Sequence, residues 1–322
     1  MNFQQLRIVR ETVRRGFNLT EVANALFTSQ PGVSKNIKDL EDELSIELFT
    51  RRGKRLIGLT KPGEELIATV ENILRESQNL RSIAEQLSSR EQGNLTLATT
   101  HTQARYALPD VVKQFKVRYP RVHLAMHQCS PREIAGMLVS GEADIGIATE
   151  GLDKLPELVS FPCYEWHHGI IVPPDHPLTK VARLRLADLS EYPIITYHAG
   201  FTGRSHIDRA FAAAGLGIDV VLSAIDADVI KTYVEVGLGI GIIASMAFNP
   251  AKDSSLRLLD ADTLFEGNTT RLAFPRGIFL RDYARHFVSM FAPKVDAQTL
   301  QIALSGGDES AGRGNVPAMQ AG

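Results

Sequence analysis

The chain has 322 residues, 44% of them hydrophobic and 22% charged, enough for two or three domains with cores of their own. Lys and Arg number 35 against 37 Asp and Glu, a net charge of −2, and the two cysteines, Cys129 and Cys163, exclude a disulfide framework and a cysteine-built metal site. No apolar run reaches the roughly 20 residues of a membrane span, and the opening stretch MNFQQLRIVRETVRRG lacks the apolar core and cleavage site of a signal peptide. A cytoplasmic protein with no membrane partner and reduced, packing cysteines is expected.

The charge is unevenly spread. Residues 1–61 carry 11 Lys/Arg against 7 Asp/Glu, a balance of +4, and the other 261 carry 24 against 30, a balance of −6. A small basic module on a larger acidic body points to nucleic acid at one end and another partner elsewhere.

Phe3, Leu6, Val9 and Val13 recur at helical spacing, and Gly16 fits the stop of that first helix. Asn18 or Thr20 can cap the next one, which turns Val22, Ala23 and Leu26 inward. The stretch TSQPGVSKNIKDLEDEL follows. Ser29 is a cap, Pro31 suits the first turn, and Val33, Ile37, Leu40 and Leu44 make one apolar stripe. The other face offers Ser34, Lys35 and Lys38, and Gln30 and Asn36 can reach bases or phosphates. Two short helices about a tight turn make a helix-turn-helix whose second helix enters the major groove. In LFTRRGKRLIGLT, Arg51, Arg52, Lys54 and Arg55 surround Gly53 as in a basic hairpin wing beside the duplex. The DNA-binding set is therefore Ser29, Gln30, Pro31, Ser34, Lys35, Lys38, Arg51, Arg52 and Lys54.

From Pro62 the spacing of Leu66, Val70, Ile73, Ser77, Leu80, Ala84 and Leu87 alternates in fours and threes, an a/d seam. It predicts a linker helix that pairs with a second copy. A helix packed along its own domain is the alternative, but a seam this regular between two domains more often pairs with a copy of itself.

Beyond the polar break EQGN, strands are expected over 95–99, 122–127, 144–148, 169–172, 194–196, 220–224 and 240–244. Helices are expected over 103–118, 131–140, 204–214, 227–236 and 281–291. The alternation predicts α/β units on largely parallel sheets, arranged as two lobes about a cleft. The expected organisation is 1–61, winged helix-turn-helix; 62–92, linker helix; 93–300, effector domain; 301–322, a disordered Gly/Ser/Ala-rich tail. Lobe I would take 93–162 and 267–300, and lobe II 163–266.

The run TTHTQARYALP places Thr99, Thr100, His101, Thr102 and Gln103 at one strand end. Thr149 and Glu150 end another, and AGFTGRS brings Thr202, Gly203 and Arg204 before a helix. Capping accounts for one hydroxyl per helix. Hydroxyls and helix starts together suit a small anion held by neutral donors, with Arg204 and Lys231 the nearest cations. His101 reads as packing.

An enzyme fits less well. The glycines of GLGIGII run into a strand, the reverse of a dinucleotide fingerprint. His123 and His127 have no carboxylate or cysteine set beside them, and Asp226 and Asp228 suit a helix start. No nucleophile, base and orienting group can be assembled, and neither metal nor cofactor is expected.

The helix-turn-helix, the wing, the linker helix, TTHTQARYALP, RYPRV, GFTGRS and DADVIKTYVEVGLGIGIIASMA together resemble the LysR-type transcriptional regulators over residues 1–295. Within that family the resemblance is to activators of cysteine biosynthesis and sulfur-assimilation genes. It implies two Rossmann-like lobes of periplasmic-binding-protein type behind an all-α winged head. It also implies a dimer of dimers on promoter DNA, with RNA polymerase as a further partner. The implied effector is sulfate, another sulfur anion, or an O- or N-acetylserine, held by Thr100, Thr102, Gln103, Thr149 and Thr202. A related regulator of sulfonate-utilisation genes is the alternative, and a solute-binding protein with no DNA role a remoter one.

Overall fold

The computed structural model describes residues 1–149 and 151–304, in two units, Met1–Ala84 and a second that begins at Glu85. In the first, Asn2 and Gln5 form a reciprocal capping box that opens α1 (Phe3–Arg14). Asn18 caps α2 (Leu19–Ala25), and Ser29 caps α3 (Gln30–Leu44), with Pro31 in its first turn. The antiparallel hairpin of β1 (Phe49–Arg52) and β2 (Arg55–Leu59) turns at Gly53, φ 63°. Leu6, Val9, Val22, Val33, Ile37, Leu40 and Phe49 are buried together as the core of this winged head.

The linker helix α4 (Lys61–Ser88) departs from the predicted seam. Val70 and Leu74 are buried in the core of the head, with Leu66, Ile67 and Ile73 packed against it. Ile67 and Leu74 widen the apolar stripe toward that core, so the first half of α4 belongs to its own domain. Only farther along do seam residues face solvent, Leu80 at 69% and Leu87 at 78% exposure. Gly63 is required at the start of α4, because a Cβ there would lie 2.1 Å from the Leu48 carbonyl oxygen.

The second unit holds two open five-stranded sheets. In lobe I, β3 (Gly93–Thr99) lies parallel to β4 (Val122–Gln128) and β5 (Ile145–Ala148), and β12 (Asn268–Pro275) lies between β5 and β6 (Leu158–Trp166), antiparallel to both. In lobe II, β8 (Ile194–Tyr197) lies parallel to β9 (Val220–Ala224) and β10 (Ile240–Ala244), and β7 (His168–Val172) runs antiparallel to β10 and β11 (Arg257–Asp260). Helices α5 (Pro109–Arg118), α6 (Pro131–Ser140), α7 (Leu186–Leu189), α8 (Arg204–Ala213), α9 (Ala227–Glu235), α10 (Asp282–Phe291) and α11 (Ala297–Leu304) complete it. The chain crosses between lobes after Trp166 and again before Asn268, so β6 extends lobe I beyond the expected residue 162.

Three expectations need correction. The helix expected over 103–118 is a π-helical turn, Gln103–Ala107, followed by α5, because Pro109 has no N–H with which to continue the first segment. Strand β6 was missed because Pro162 interrupts its pattern; it sits at a shift of register against β12. The tail begins later than 301, since α11 runs to Leu304 and buries Leu300 and Leu304 in the core of lobe I. The disorder expected farther along, and Glu150, lie outside the described residues. Among the described residues no helix is long and apolar enough to cross a membrane.

Candidate nucleic-acid interface and ligand site

In the winged head, the N-terminal turn of α3 presents Ser29, Gln30, Pro31 and Lys35 exposed, with Lys38 a turn farther on and Ser34 half-buried. Ser29 has a second duty: its Oγ accepts from Gly32 N at 3.2 Å. Asn36 turns away, its Nδ2 donating to the Gly32 carbonyl at 2.9 Å. Arg52 and Lys54 are exposed on the wing. Arg51 is held by Glu41, Nη2 to Oε2 at 2.6 Å. Glu41, which the sequence did not single out, is 7% exposed and also accepts from Leu48 N at 2.9 Å and Phe49 N at 3.2 Å. It ties α3 to the wing, so the two basic surfaces stay in one register.

In the second unit, Thr100, Thr102 and Thr202 are buried and Thr149 is half-buried, each just beyond a strand or before a helix. Thr102 Oγ1 meets Thr202 Oγ1 across the lobes at 3.4 Å. Neither hydroxyl caps a helix: the π turn after Thr102 and α8 after Gly203 have no side-chain cap. Thr202 has φ 45° and Gly203 φ 70°. A Cβ on Gly203 would lie 2.0 Å from Asn268 Oδ1, so this approach admits only glycine.

Two expected ligand groups are occupied elsewhere. Gln103 is fully buried; its Nε2 donates to Thr270 Oγ1 at 3.0 Å and its Oε1 accepts from the Tyr164 hydroxyl. Arg204 donates to Asp208 Oδ1 at 2.8 Å and to the Tyr197 carbonyl at 2.7 Å. Lys231 is likewise committed, to Asp253 at 3.1 Å, to the Ala247 carbonyl at 3.0 Å and to Asp228 at 3.2 Å.

A polar latch joins the lobes. Asp228 on α9 accepts from the Tyr106 hydroxyl at 2.8 Å and pairs with Arg105. His101, expected as packing, belongs here: Nδ1 is 3.0 Å from Gln128 Oε1 and Nε2 is 3.7 Å from Asp228 Oδ2. Burial raises the Asp228 carboxyl, but the hydrogen bonds from Tyr106 and Lys231 and the charges of Lys231 and Arg105 outweigh it and leave the group below its usual range. His101, Asp226 and Asp228 bring possible metal ligands within 4.8 Å of one another. The cations already on Asp228 satisfy its charge, and Asp226 caps α9 through Val229 N at 2.9 Å.

The comparisons with known proteins agree with both halves. Residues 3–64 match the family described as "Bacterial regulatory helix-turn-helix protein, lysR family", and residues 88–295 match the "LysR substrate binding domain". The chain belongs to the LysR family of transcriptional regulators. This LysR-family regulator is 58% identical over 296 residues to the HTH-type transcriptional regulator SsuR of Burkholderia cenocepacia, covering 92% of this chain and 96% of that protein. It is 52% identical over 310 residues to CysB of the same organism, covering 96% and 99%. A crystal structure of the cofactor-binding domain of the Cbl transcriptional regulator matches with TM-score 0.64 and 47% identity, over 66% of this chain and 94% of that one.

One residue of the regulator has a measurable pH signature. His168 Nε2 lies 3.0 Å from the Thr202 carbonyl, so that nitrogen carries the proton and Nδ1 accepts from Asn268 Nδ2 at 3.3 Å. This bond holds Thr202 in its left-handed conformation. Burial pushes the imidazole down to about 4, outweighing the Thr202 hydrogen bond. The unfolded chain takes up this proton near pH 6.5. Stability present above that value is therefore lost as pH falls from 6.5 toward 4, by about 3 kcal/mol for this one group. In an NMR titration the His168 ring should stay neutral at pH 5.5. A His168 midpoint near 6.5 contradicts this role.

Proposed function

We propose that the LysR-family regulator controls promoters of sulfur-assimilation and cysteine-biosynthesis genes, and that a small anion or zwitterion, sulfate or an O- or N-acetylserine, binds between its lobes. The observation that carries the ligand half is the Thr102–Thr202 contact: buried hydroxyls at two helix starts, neither used as a cap. Thr100, Thr149 and Gly203 complete the set. Arg204 and Lys231 are neutralised by their own carboxylates, so recognition rests on neutral donors, as suits a small fully desolvated anion. Gln103 positions the wall and does not touch ligand. The protein needs no catalytic group or cofactor for this role.

Ligand shifts the lobes only if it binds one arrangement better than another. Arg281 supports a route from lobe to linker helix. It is 6% exposed and donates to Glu85 Oε2 at 2.8 Å and to the carbonyls of Ser89 at 2.7 Å and Gln92 at 2.8 Å. A lobe that moves thus carries the end of α4 with it. A dimer of dimers is supported by the exposed Leu80, Ile83 and Leu87 on α4, and by Val221, Ile225 and Tyr233 along β9 and α9. Promoter DNA and RNA polymerase are its partners, in the cytoplasm.

A second reading, a regulator of sulfonate-utilisation genes, stands beside the first, because identities of 58% to SsuR and 52% to CysB do not choose between two differently named relatives. Calorimetry with sulfate, O-acetylserine, N-acetylserine and an alkanesulfonate separates them. Thr102→Val and Thr202→Val should each weaken the preferred ligand about tenfold, the loss of one hydrogen bond at constant shape. Unchanged binding of all four ligands in both variants rules out the site.

A further inference from the structure

The turn between α2 and α3 holds a residue that nothing inside the protein explains. Phe27 is 98% exposed, and its φ is 50°, a region that glycine or asparagine enters readily and a bulky side chain rarely does. Phe17, at φ 67°, makes the contrast. Its ring packs edge-on against Phe49 at 6.2 Å and lies against the core of the head, so packing compensates its backbone. Among the described residues no such contact compensates Phe27. The turn is also held by hydrogen bonds: Phe27 N donates to the Asn24 carbonyl at 3.3 Å and Thr28 N to the Ala23 carbonyl at 2.9 Å. The ring is held outward, two residues before the Ser29 cap and three before the exposed Gln30. Backbone strain and an exposed aromatic ring coincide where the recognition helix starts.

We propose that Phe27 is a DNA-contacting residue whose ring packs on the apolar edge of the duplex, deoxyribose or thymine methyl, next to the base pairs addressed by α3. Ionic contacts bring the head to the phosphates, and the ring gains its burial only on the duplex.

The test uses the full-length protein and a duplex selected by the wild type from a randomised pool. Binding is followed by fluorescence anisotropy between about 50 and 200 mM salt. Phe27→Asn places a residue suited to the left-handed turn, so thermal stability should hold or rise while DNA affinity falls about tenfold. Its salt dependence should match the wild type, because no phosphate contact is lost, whereas Lys35→Ala should flatten the logarithmic slope by about 0.9. A copy of the duplex with deoxyuridine in place of thymidine identifies the surface. Weaker wild-type binding to it, absent in Phe27→Asn, assigns the ring to a thymine methyl; equal wild-type binding to both duplexes assigns it to deoxyribose. Wild-type affinity in Phe27→Asn overturns the proposal and leaves the ring to a protein partner. A loss of affinity matched by a fall in thermal stability overturns it as well.

Discussion

Lys231→Met should lower the stability of the second unit by about 3–5 kcal/mol, the cost of breaking a buried ion pair by removing one partner. Methionine preserves the apolar stem, so the loss isolates the charge. Lys231 is 7% exposed, and its ammonium bridges Asp253 to the Ala247 carbonyl and reaches Asp228. Without it the Asp253 carboxylate keeps only neutral donors such as Asn249 N at 2.8 Å. Lys231→Arg should not restore the wild type, because a planar fork cannot replace a compact ammonium in this geometry. Trp166, the single tryptophan, is 2% exposed in lobe I and reports unfolding of this unit by fluorescence. A Lys231→Met midpoint equal to the wild type in urea would remove the structural assignment and return Lys231 to the ligand.

Glu41→Ala should destabilise the winged head by about 3–5 kcal/mol while the Trp166 transition stays where it is. The carboxylate accepts two backbone N–H groups of buried residues, Leu48 and Phe49, and pairs with Arg51. Each buried donor left without an acceptor costs about 1–3 kcal/mol. Glu41→Gln keeps an acceptor oxygen and should lose roughly half as much. Circular dichroism in urea, read beside Trp166 fluorescence, separates the units. DNA affinity should fall with the helical signal, since Arg51 and the wing lose their anchor. Coincident wild-type curves in both signals would show that the wing does not depend on Glu41.

Much of the fold was legible along the chain because its signals are local. Asn18, Ser29, Pro31 and the Val33–Ile37–Leu40 stripe announce the second and third helices, and the structure places all of them in those roles. Strands β9 and β10 and helix α6 match their expected bounds, because Gly, Pro and polar residues flank them cleanly. The π turn at Gln103 was not legible, since its i to i+5 bonding shares the apolar spacing of an ordinary helix. The candidate site was half legible. The threonines stood out as an excess of caps. The role of Gln103 depended on Tyr164 and Thr270, 61 and 167 residues away. Nothing near Asp228 in the chain points to Tyr106, which lies 122 residues from it.

By itself the sequence determined the kind of protein: a basic winged head, a linker helix and an acidic two-lobed body, each written in short-range periodicity, caps and charge. Tertiary structure alone decided which partners the polar groups have. Gln103, Arg204 and Lys231 look like ligand groups in the chain, yet in the fold each is bound to a partner far along it or on a neighbouring turn. His101 looked inert and joins the latch. A buried polar group must be satisfied, and its partner is whatever the packing brings within about 3 Å. That pairing is a property of three-dimensional proximity, which no local pattern encodes.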